Sequence, residues 1–355
     1  MIWNTNAALI QTQSPPEEPY FRKAYDFMIS WLNGQSEFML HTSGSTGIPK
    51  DILIKRNQLS SSAHMTGEAL KLPKGTRALV CLNISYIAGI MMLVRGMELG
   101  WELSIVEPSS NPLLEFQNPI FDFAAMVPLQ LSTGLGNENT RDKIENLGKI
   151  LLGGAPVGIQ LQKQIDQLKI PVYQSYGMTE TVSHVALRKL NGPEVENGYK
   201  VLPEIEFGLD DRGCIFLSGD VTNWERIQTN DLAEITSENT FNWIGRIDNI
   251  INSGGMKIVL DKVDEIVAEV FYELGYENSF FSWFENDEKL GQKLILVVLK
   301  NVNVLSEENL LGEIRKRIST YETPKHVYFV DEFIKTPTDK VDKRRTVSQL
   351  FNGKQ

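Results

Sequence analysis

The sequence predicts an α/β protein: a large N-terminal domain of mixed, mostly parallel sheets with helices plus a β-rich subdomain, followed by a small α+β C-terminal domain. Three observations predict it. Short apolar strand-like runs alternate with helix-patterned runs over residues 78–174, the order that gives parallel pairing through helical crossovers. Between Glu204 and Trp243 the texture turns to strand-like segments broken by turn residues. The final stretch carries helix and strand patterns of its own, enough for a separate core.

Pro15-Pro16-Glu17-Glu18-Pro19 precedes a helix predicted over 21–32, and 57–70 reads as a second helix with Leu59, Ala63 and Leu70 on one side. Strands are predicted at 78–82, 103–106, 123–127, 149–152 and 171–174, with a helix at 157–168 between the last two. In the turn-rich region the strand candidates are 213–217 and 240–244. Further on, Val263, Ile266, Val267, Val270, Phe271 and Leu274 follow helical spacing, with Asp261 as N-cap and Gly275 as the C′ residue. Strands at 294–299 and 327–330 flank a helix marked by Leu310, Leu311, Ile314 and Ile318. The boundary falls near Gly245-Arg246, giving domains 1–245 and 246–355, without internal repeats or low-complexity tracts.

Composition narrows the function classes. A chain of 355 residues has room for two domains. Its net charge of −10 gives no electrostatic reason to expect nucleic acid as a partner. The two cysteines, Cys81 and Cys214, sit in strand-like runs and read as small core residues of a reducing compartment. The four histidines (His41, His64, His184, His326) show no metal spacing with each other or with the cysteines. The N-terminus lacks a basic-then-apolar leader pattern, and the best apolar run, 86–94, is broken by Arg95. A cytoplasmic protein with no membrane span is the expectation, and a homodimer is compatible with it.

The run His41-Thr42-Ser43-Gly44-Ser45-Thr46-Gly47-Ile48-Pro49-Lys50 follows the apolar Phe38-Met39-Leu40. Such a loop suits a polyphosphate: glycine lets backbone N–H groups approach, hydroxyls donate hydrogen bonds, and lysine adds a point charge. It is not a Walker A loop, because Pro49 precedes the lysine and no hydroxyl residue follows it. No Gly-x-Ser-x-Gly elbow or His-Glu-x-x-His motif competes with it.

Four further segments complete an ordered pattern: Gly153-Gly154-Ala155-Pro156; Gln174-Ser175-Tyr176-Gly177-Met178-Thr179-Glu180-Thr181; Asn230-Asp231-Leu232-Ala233 through Gly245-Arg246-Ile247-Asp248-Asn249-Ile250-Ile251-Asn252-Ser253-Gly254-Gly255; and Thr336-Pro337-Thr338-Asp339-Lys340-Val341. Together with the Gly/Ser loop they resemble the adenylate-forming superfamily of acyl- and aryl-CoA synthetases, luciferases and peptide-synthetase adenylation domains, over residues 38–345. Within it, Ser85-Tyr86-Ile87-Ala88-Gly89 with Arg95, and Met126-Val127-Pro128-Leu129-Gln130, resemble the 2-succinylbenzoate–CoA ligase branch, which serves menaquinone synthesis.

The resemblance implies an ATP- and Mg²⁺-dependent carboxylate–CoA ligase that works through an acyl-adenylate, with an aromatic or acyl acid, ATP and coenzyme A as its small-molecule partners. Thr42, Ser43, Gly44, Ser45, Thr46, Gly47 and Lys50 would hold the β- and γ-phosphates. Thr179 would hydrogen-bond the α-phosphate, and Glu180 would bind Mg²⁺, a hard cation that prefers oxygen. Gly153, Gly154, Ala155 and Pro156 would turn against adenine, with Ser175, Tyr176 and Gly177 beside it and Tyr176 stacked on the ring. Asp231 would accept from the ribose hydroxyls next to Arg246. Lys340 would neutralise charge between carboxylate and α-phosphate. The other basic residues of 340–345 read as an exposed tail. Asp248 would be the hinge on which a mobile small domain swings, and Ser253, Gly254 and Gly255 would line a path for the pantetheine arm. Tyr86, Gly89, Met126, Val127, Pro128 and Leu129 would form the apolar acyl slot, with Arg95 pairing a ring carboxylate.

The chain departs from the family pattern in three ways. The phosphate loop begins near residue 41, whereas typical members have a longer region before it, so a shortened N-terminal region is expected; Asn230 and Asp339 stand where glycine is usual; Tyr86 stands where many relatives have histidine. Three alternatives stay open on the sequence: another aryl- or acyl-CoA synthetase, a stand-alone adenylation enzyme that loads a carrier protein, or a catalytically silent nucleotide-binding regulator.

Overall fold

A computed structural model describes residues 1–41, 51–276, 279–300, 306–336 and 341–352. The chain divides into two compact units: 1–208 with 216–228 and 235–242, and 209–215 with 229–234 and 243–355.

The first unit holds β1 (Ile2–Thr5), α1 (Pro19–Leu32), β2 (Glu37–His41), β3 (Asp51–Lys55), α2 (Arg56–Ala69), β4 (Arg77–Val80), α3 (Ile87–Leu99), β5 (Glu102–Val106), β6 (Phe123–Met126), α4 (Pro128–Gly136), α5 (Arg141–Ile144), β7 (Lys149–Leu152), α6 (Ile159–Ile165), β8 (Val172–Gly177), β9 (His184–Lys189) and β10 (Tyr199–Val201). Its main sheet runs β1-β5-β4-β6-β7-β8-β9-β10. The pairs β5/β4, β4/β6, β6/β7 and β7/β8 are parallel. The flanking pairs β1/β5, β8/β9 and β9/β10 are antiparallel. The expected α/β class with largely parallel pairing is therefore the fold observed, and β2 and β3 form a separate antiparallel hairpin.

Alternate residues explain the layers. Leu79 and Cys81, Ala124 and Met126, and Ile150 and Leu152 share one sheet face and bury against Leu131, Leu135, Ile144, Leu161 and Ile165 of α4, α5 and α6. On the other face α3 meets Leu103: a Cβ at Gly96 would stand 2.5 Å from Leu103 Cδ1. Both cysteines are buried, as expected of core residues.

The strand order creates the site. The chain passes from β4 to β5 on one side, then returns across β4 to place β6 on the other. Helix α3 leaves the end of β4 and α4 leaves the end of β6 on opposite faces. A crevice opens between them at the carboxyl ends of the strands, the general ligand position of open α/β sheets.

Strands β11 (Ile205–Leu209), β12 (Cys214–Gly219), β13 (Ile227–Ser237) and β14 (Thr240–Arg246) contribute residues to both units. The second unit continues with β15 (Ile250–Ser253), β16 (Met256–Val259), α7 (Leu260–Glu273), β17 (Phe280–Asp287), β18 (Gly291–Leu299), α8 (Glu307–Arg315), β19 (His326–Val330) and α9 (Lys343–Asn352). Its sheet runs β16-β15-β18-β17, with β19 parallel to β18. Val263, Val267, Val270 and Phe271 of α7 and Leu310, Leu311 and Ile314 of α8 bury against Leu294, Leu296 and Val298, as their spacing predicts.

Gly275 is the C′ residue of α7, at φ +72°. Asp261, expected as its N-cap, is not: Val259 holds that position. The Asp261 carboxylate turns away from the helix and accepts from Arg246 N at 2.9 Å and from Asn249 Nδ2 at 3.0 Å. The basic run after Lys340 is also more than an exposed tail. It starts α9, whose Val347 is buried with Phe281, Ile295 and Val297 on the second face of the sheet.

Candidate active site

A cavity of about 200 Å³ sits at the crevice of the first unit. Leu82 after β4, Ala125, Met126 and Val127 at the end of β6, Leu151, Gly153 and Gly154 at the end of β7, and Ser175 and Gly177 at the end of β8 line it. Ile87, Ala88 and Arg95 of α3, Met178, Thr179 and Ser183 of the β8–β9 loop and His184 at the start of β9 complete the wall. Ser175 Oγ donates to Leu152 O at 2.9 Å, joining the ends of β7 and β8.

Of the residues singled out from sequence, Arg95, Met126, Val127, Gly153, Gly154, Ser175, Gly177 and Thr179 therefore meet at one cavity. Glu180 is exposed beside Thr179, and Ala155 and Pro156 are exposed just beyond Gly154. Tyr176 packs edge-on to Phe241 and against Tyr199. Tyr86, 44 % exposed, caps the start of α3 away from the lining, and Leu129 is likewise exposed. Pro128 is buried as the first residue of α4. Gly89 has a packing reason instead of a wall position: a Cβ there would stand 2.4 Å from Asn83 O, so α3 could not follow the β4 loop so closely. Thr42, Ser43, Gly44, Ser45, Thr46, Gly47, Lys50 and Lys340 lie outside the described residues.

Arg95 dominates the electrostatics. It is 2 % exposed, and among the described residues no acidic side chain pairs with it. Burial pushes its guanidinium down to about 9, still charged at neutral pH. Its Nε donates to Thr66 Oγ1 at 3.2 Å, Nη1 to Met92 Sδ at 3.6 Å and Nη2 to Ser183 Oγ at 3.1 Å. His184 closes the circuit, with Nε2 3.2 Å from Thr66 Oγ1 and Nδ1 3.3 Å from Ser183 Oγ. Burial first and Arg95 second hold the imidazole well below its usual range, so it is neutral. Proton accounting then fixes one arrangement. Thr66 Oγ1 donates to Ser62 O at 2.9 Å. It must therefore accept from His184 Nε2–H, and Nδ1 must accept from the Ser183 hydroxyl.

Thr66, Ser183 and His184 escaped the sequence reading. The one signal present is that Ser183-His184 follows the Tyr-Gly-Met-Thr-Glu-Thr segment after a single residue, Val182, and precedes the apolar Val185-Ala186-Leu187.

In the second unit, Arg246 Nη1 lies 3.5 Å from Asp231 Oδ1 and Nη2 lies 2.8 Å from Asp248 Oδ2. Three residues assigned from the fourth motif thus share one guanidinium contact network. Ser253 is buried at the end of β15, and Gly254 and Gly255 form the positive-φ turn into β16.

The model of the AMP-binding enzyme family matches residues 26–211, more than half of the chain. The chain belongs to the AMP-binding enzyme family. An acyl-CoA synthetase (AMP-forming)/AMP-acid ligase II-like protein from Dyadobacter fermentans, known by crystal structure, is 58 % identical over 99 % of this chain and 100 % of that one, with a TM-score of 0.70. Among curated relatives, 2-succinylbenzoate–CoA ligase of Bacillus cytotoxicus is 27 % identical over 89 % of this chain and 70 % of its own length. The o-succinylbenzoate CoA synthetase of Bacillus subtilis, solved with ATP and a magnesium ion, shares the fold at TM-score 0.71 and 20 % identity, over 87 % of this chain and 69 % of that one. This member of the AMP-binding enzyme family is an AMP-forming acid–thiol ligase, and among its described residues no helix is long and apolar enough to cross a membrane.

Proposed function

We propose that the chain activates an aryl carboxylic acid bearing a second carboxylate, 2-succinylbenzoate being the best fit, and passes the acyl group to coenzyme A, a step of menaquinone synthesis. One observation carries the choice of acid: a buried, cavity-lining guanidinium with no acidic partner among the described residues. Burying a cation without a counter-ion is costly, and a ligand carboxylate removes that cost while pairing in a fixed planar geometry. The apolar wall of Leu82, Ile87, Met126 and Val127 suits the aromatic ring between the two carboxylates.

In this reading Arg95 takes the ring carboxylate and leaves the succinyl carboxylate to attack the α-phosphorus of ATP. Two anions meet in that step, so the protein must supply positive charge and oriented donors. Thr179, on the cavity wall, holds the α-phosphate. Gly153 and Gly154 let adenine approach the ends of β7 and β8, and Asp231 takes the ribose. Lys340 and the 42–50 loop supply the remaining donors, and Ser253, Gly254 and Gly255 flank the pantetheine arm in the second half-reaction. Glu180 fits a magnesium site: an exposed oxygen donor beside Thr179 is what a cation needs when it is held by one or two carboxylates plus substrate phosphates. Bound there, Mg²⁺ neutralises phosphate charge.

The test is AMP release by the purified chain with ATP, Mg²⁺, coenzyme A and a panel of aryl and acyl acids. The reading expects release to depend on free coenzyme A and to be fastest with 2-succinylbenzoate. Equal or faster turnover with monocarboxylic acids excludes it, and acid-dependent ATP–pyrophosphate exchange without AMP release on adding coenzyme A points to a carrier-protein acceptor.

A further inference from the structure

We propose that Thr66, Ser183 and His184 are positioning residues that set the preference of the cavity for acids with a second carboxylate, by holding the Arg95 guanidinium in place without neutralising it. The inference deepens the reading of Arg95 above and rests on it.

A guanidinium has five N–H groups. Thr66, Met92 and Ser183 take one each, from three different nitrogens, and one N–H remains on each terminal nitrogen, a set that can take both oxygens of a carboxylate. The acceptors that fix the plane are all uncharged. A carboxylate at any of these positions would neutralise Arg95 inside the protein and leave little for a ligand anion to gain. Neutral His184 completes the ring: its Nε2–H spends itself on Thr66 and its Nδ1 takes the Ser183 proton. Both hydroxyl oxygens are thereby left with lone pairs for Arg95.

The backbone that delivers Ser183 and His184 is over-determined in a way ordinary packing does not need. Val182, β-branched and fully buried, is held at φ +65°, where such a residue is strained. A Cβ at Gly177 would stand 2.2 Å from Ser183 O, so glycine is required opposite. Thr181 Oγ1 accepts from Met178 N at 3.1 Å and donates to Ser183 O at 2.8 Å. One short loop thus brings Thr179 and the pair Ser183-His184 to the same cavity.

The experiment compares kcat/KM for 2-succinylbenzoate with that for 4-oxo-4-phenylbutanoate, which lacks the ring carboxylate. In the wild type the ratio favours the diacid. Thr66→Val, Ser183→Ala and His184→Gln each lower the ratio about tenfold, mainly through KM of the diacid, as expected for a lost hydrogen bond to a charged group. Thr66→Ser keeps the hydroxyl and the wild-type ratio. Ser183→Asp supplies an internal counter-ion and abolishes the preference. Parallel losses for both acids, or no change in any variant while Arg95→Met loses the preference, overturn the positioning role alone. A wild type without preference overturns the reading of Arg95 and this inference with it. Ser183→Ala removes only one oxygen at the cavity wall, so its ratio decides the matter if the buried variants fail to fold.

Discussion

Asn230 Nδ2 lies 3.2 Å from both carboxylate oxygens of Asp248. The residue that replaces the usual glycine of the ribose motif therefore holds the residue proposed as hinge, and Arg246 holds the same carboxylate from another side. These contacts are exposed, so each is weak. Asn230→Gly removes one of them and restores the common residue. It is expected to speed the thioester-forming half-reaction a few-fold while adenylate formation stays unchanged, as read by single-turnover assays of each half. Asp248→Pro restricts the backbone there and is expected to separate the two rates in the opposite sense. Identical shifts in both half-reactions rule out a role for these contacts in switching between them.

Lys340 is assigned by its place after Thr336-Pro337. Lys340→Ala is expected to slow acyl-adenylate formation by about 10²–10³, the usual effect of removing one preorganised electrostatic group. Conversion of a supplied acyl-adenylate to thioester should continue. Pyrophosphate exchange and thioester formation measured separately decide it, and equal losses count against the role.

Much of the architecture was legible because its signals are local. The parallel strands are short apolar runs between turn residues, and α7 announces itself by helical spacing and Gly275. The motif glycines at 153, 154 and 177 mark the carboxyl ends of β7 and β8, so part of the cavity could be found from sequence alone. The cradle around Arg95 could not, because Thr66, Arg95 and Ser183-His184 come from α2, α3 and the junction of the β8–β9 loop with β9 and acquire meaning only when the sheet brings them together. Gly89 misled for a related reason: a glycine required by close packing reads in sequence like a glycine required by a ligand. Asp261 had the chemistry of an N-cap, but its carboxylate is satisfied by Arg246 N and Asn249 instead.

Lys343 Nζ donates to Asp264 Oδ2 at 3.1 Å, and Ser282 N donates to Asp264 Oδ1 at 2.6 Å. Burial raises the Asp264 carboxyl above its usual range, with Lys343 opposing the shift. Removing the ammonium leaves a buried acid with one partner fewer. Lys343→Met is expected to lower unfolding free energy by about 1–3 kcal/mol. The double variant with Asp264→Leu should recover much of that loss, because replacing both members of such a pair is far less costly than removing one. Urea denaturation of the four proteins of the cycle measures the coupling, and additive effects refute it.

His184 gives the fold a pH dependence. Its imidazole is neutral in the folded chain, held well below the usual histidine range by burial and then by Arg95. The unfolded chain takes up a proton as pH falls through about 6.5, whereas the folded chain does so only at much lower pH. The unfolded state thus binds more protons across that window, and stability falls as the solution is acidified. From pH 7.5 to 5.5 this one group accounts for a loss of about 1.4 kcal/mol, the linkage expected when only the unfolded side titrates. His184→Gln cannot titrate and should lose that much less over the same interval, whatever it costs at pH 7.5. Urea unfolding of both proteins at the two pH values tests it; identical acid sensitivities would show that His184 is not held neutral in the fold.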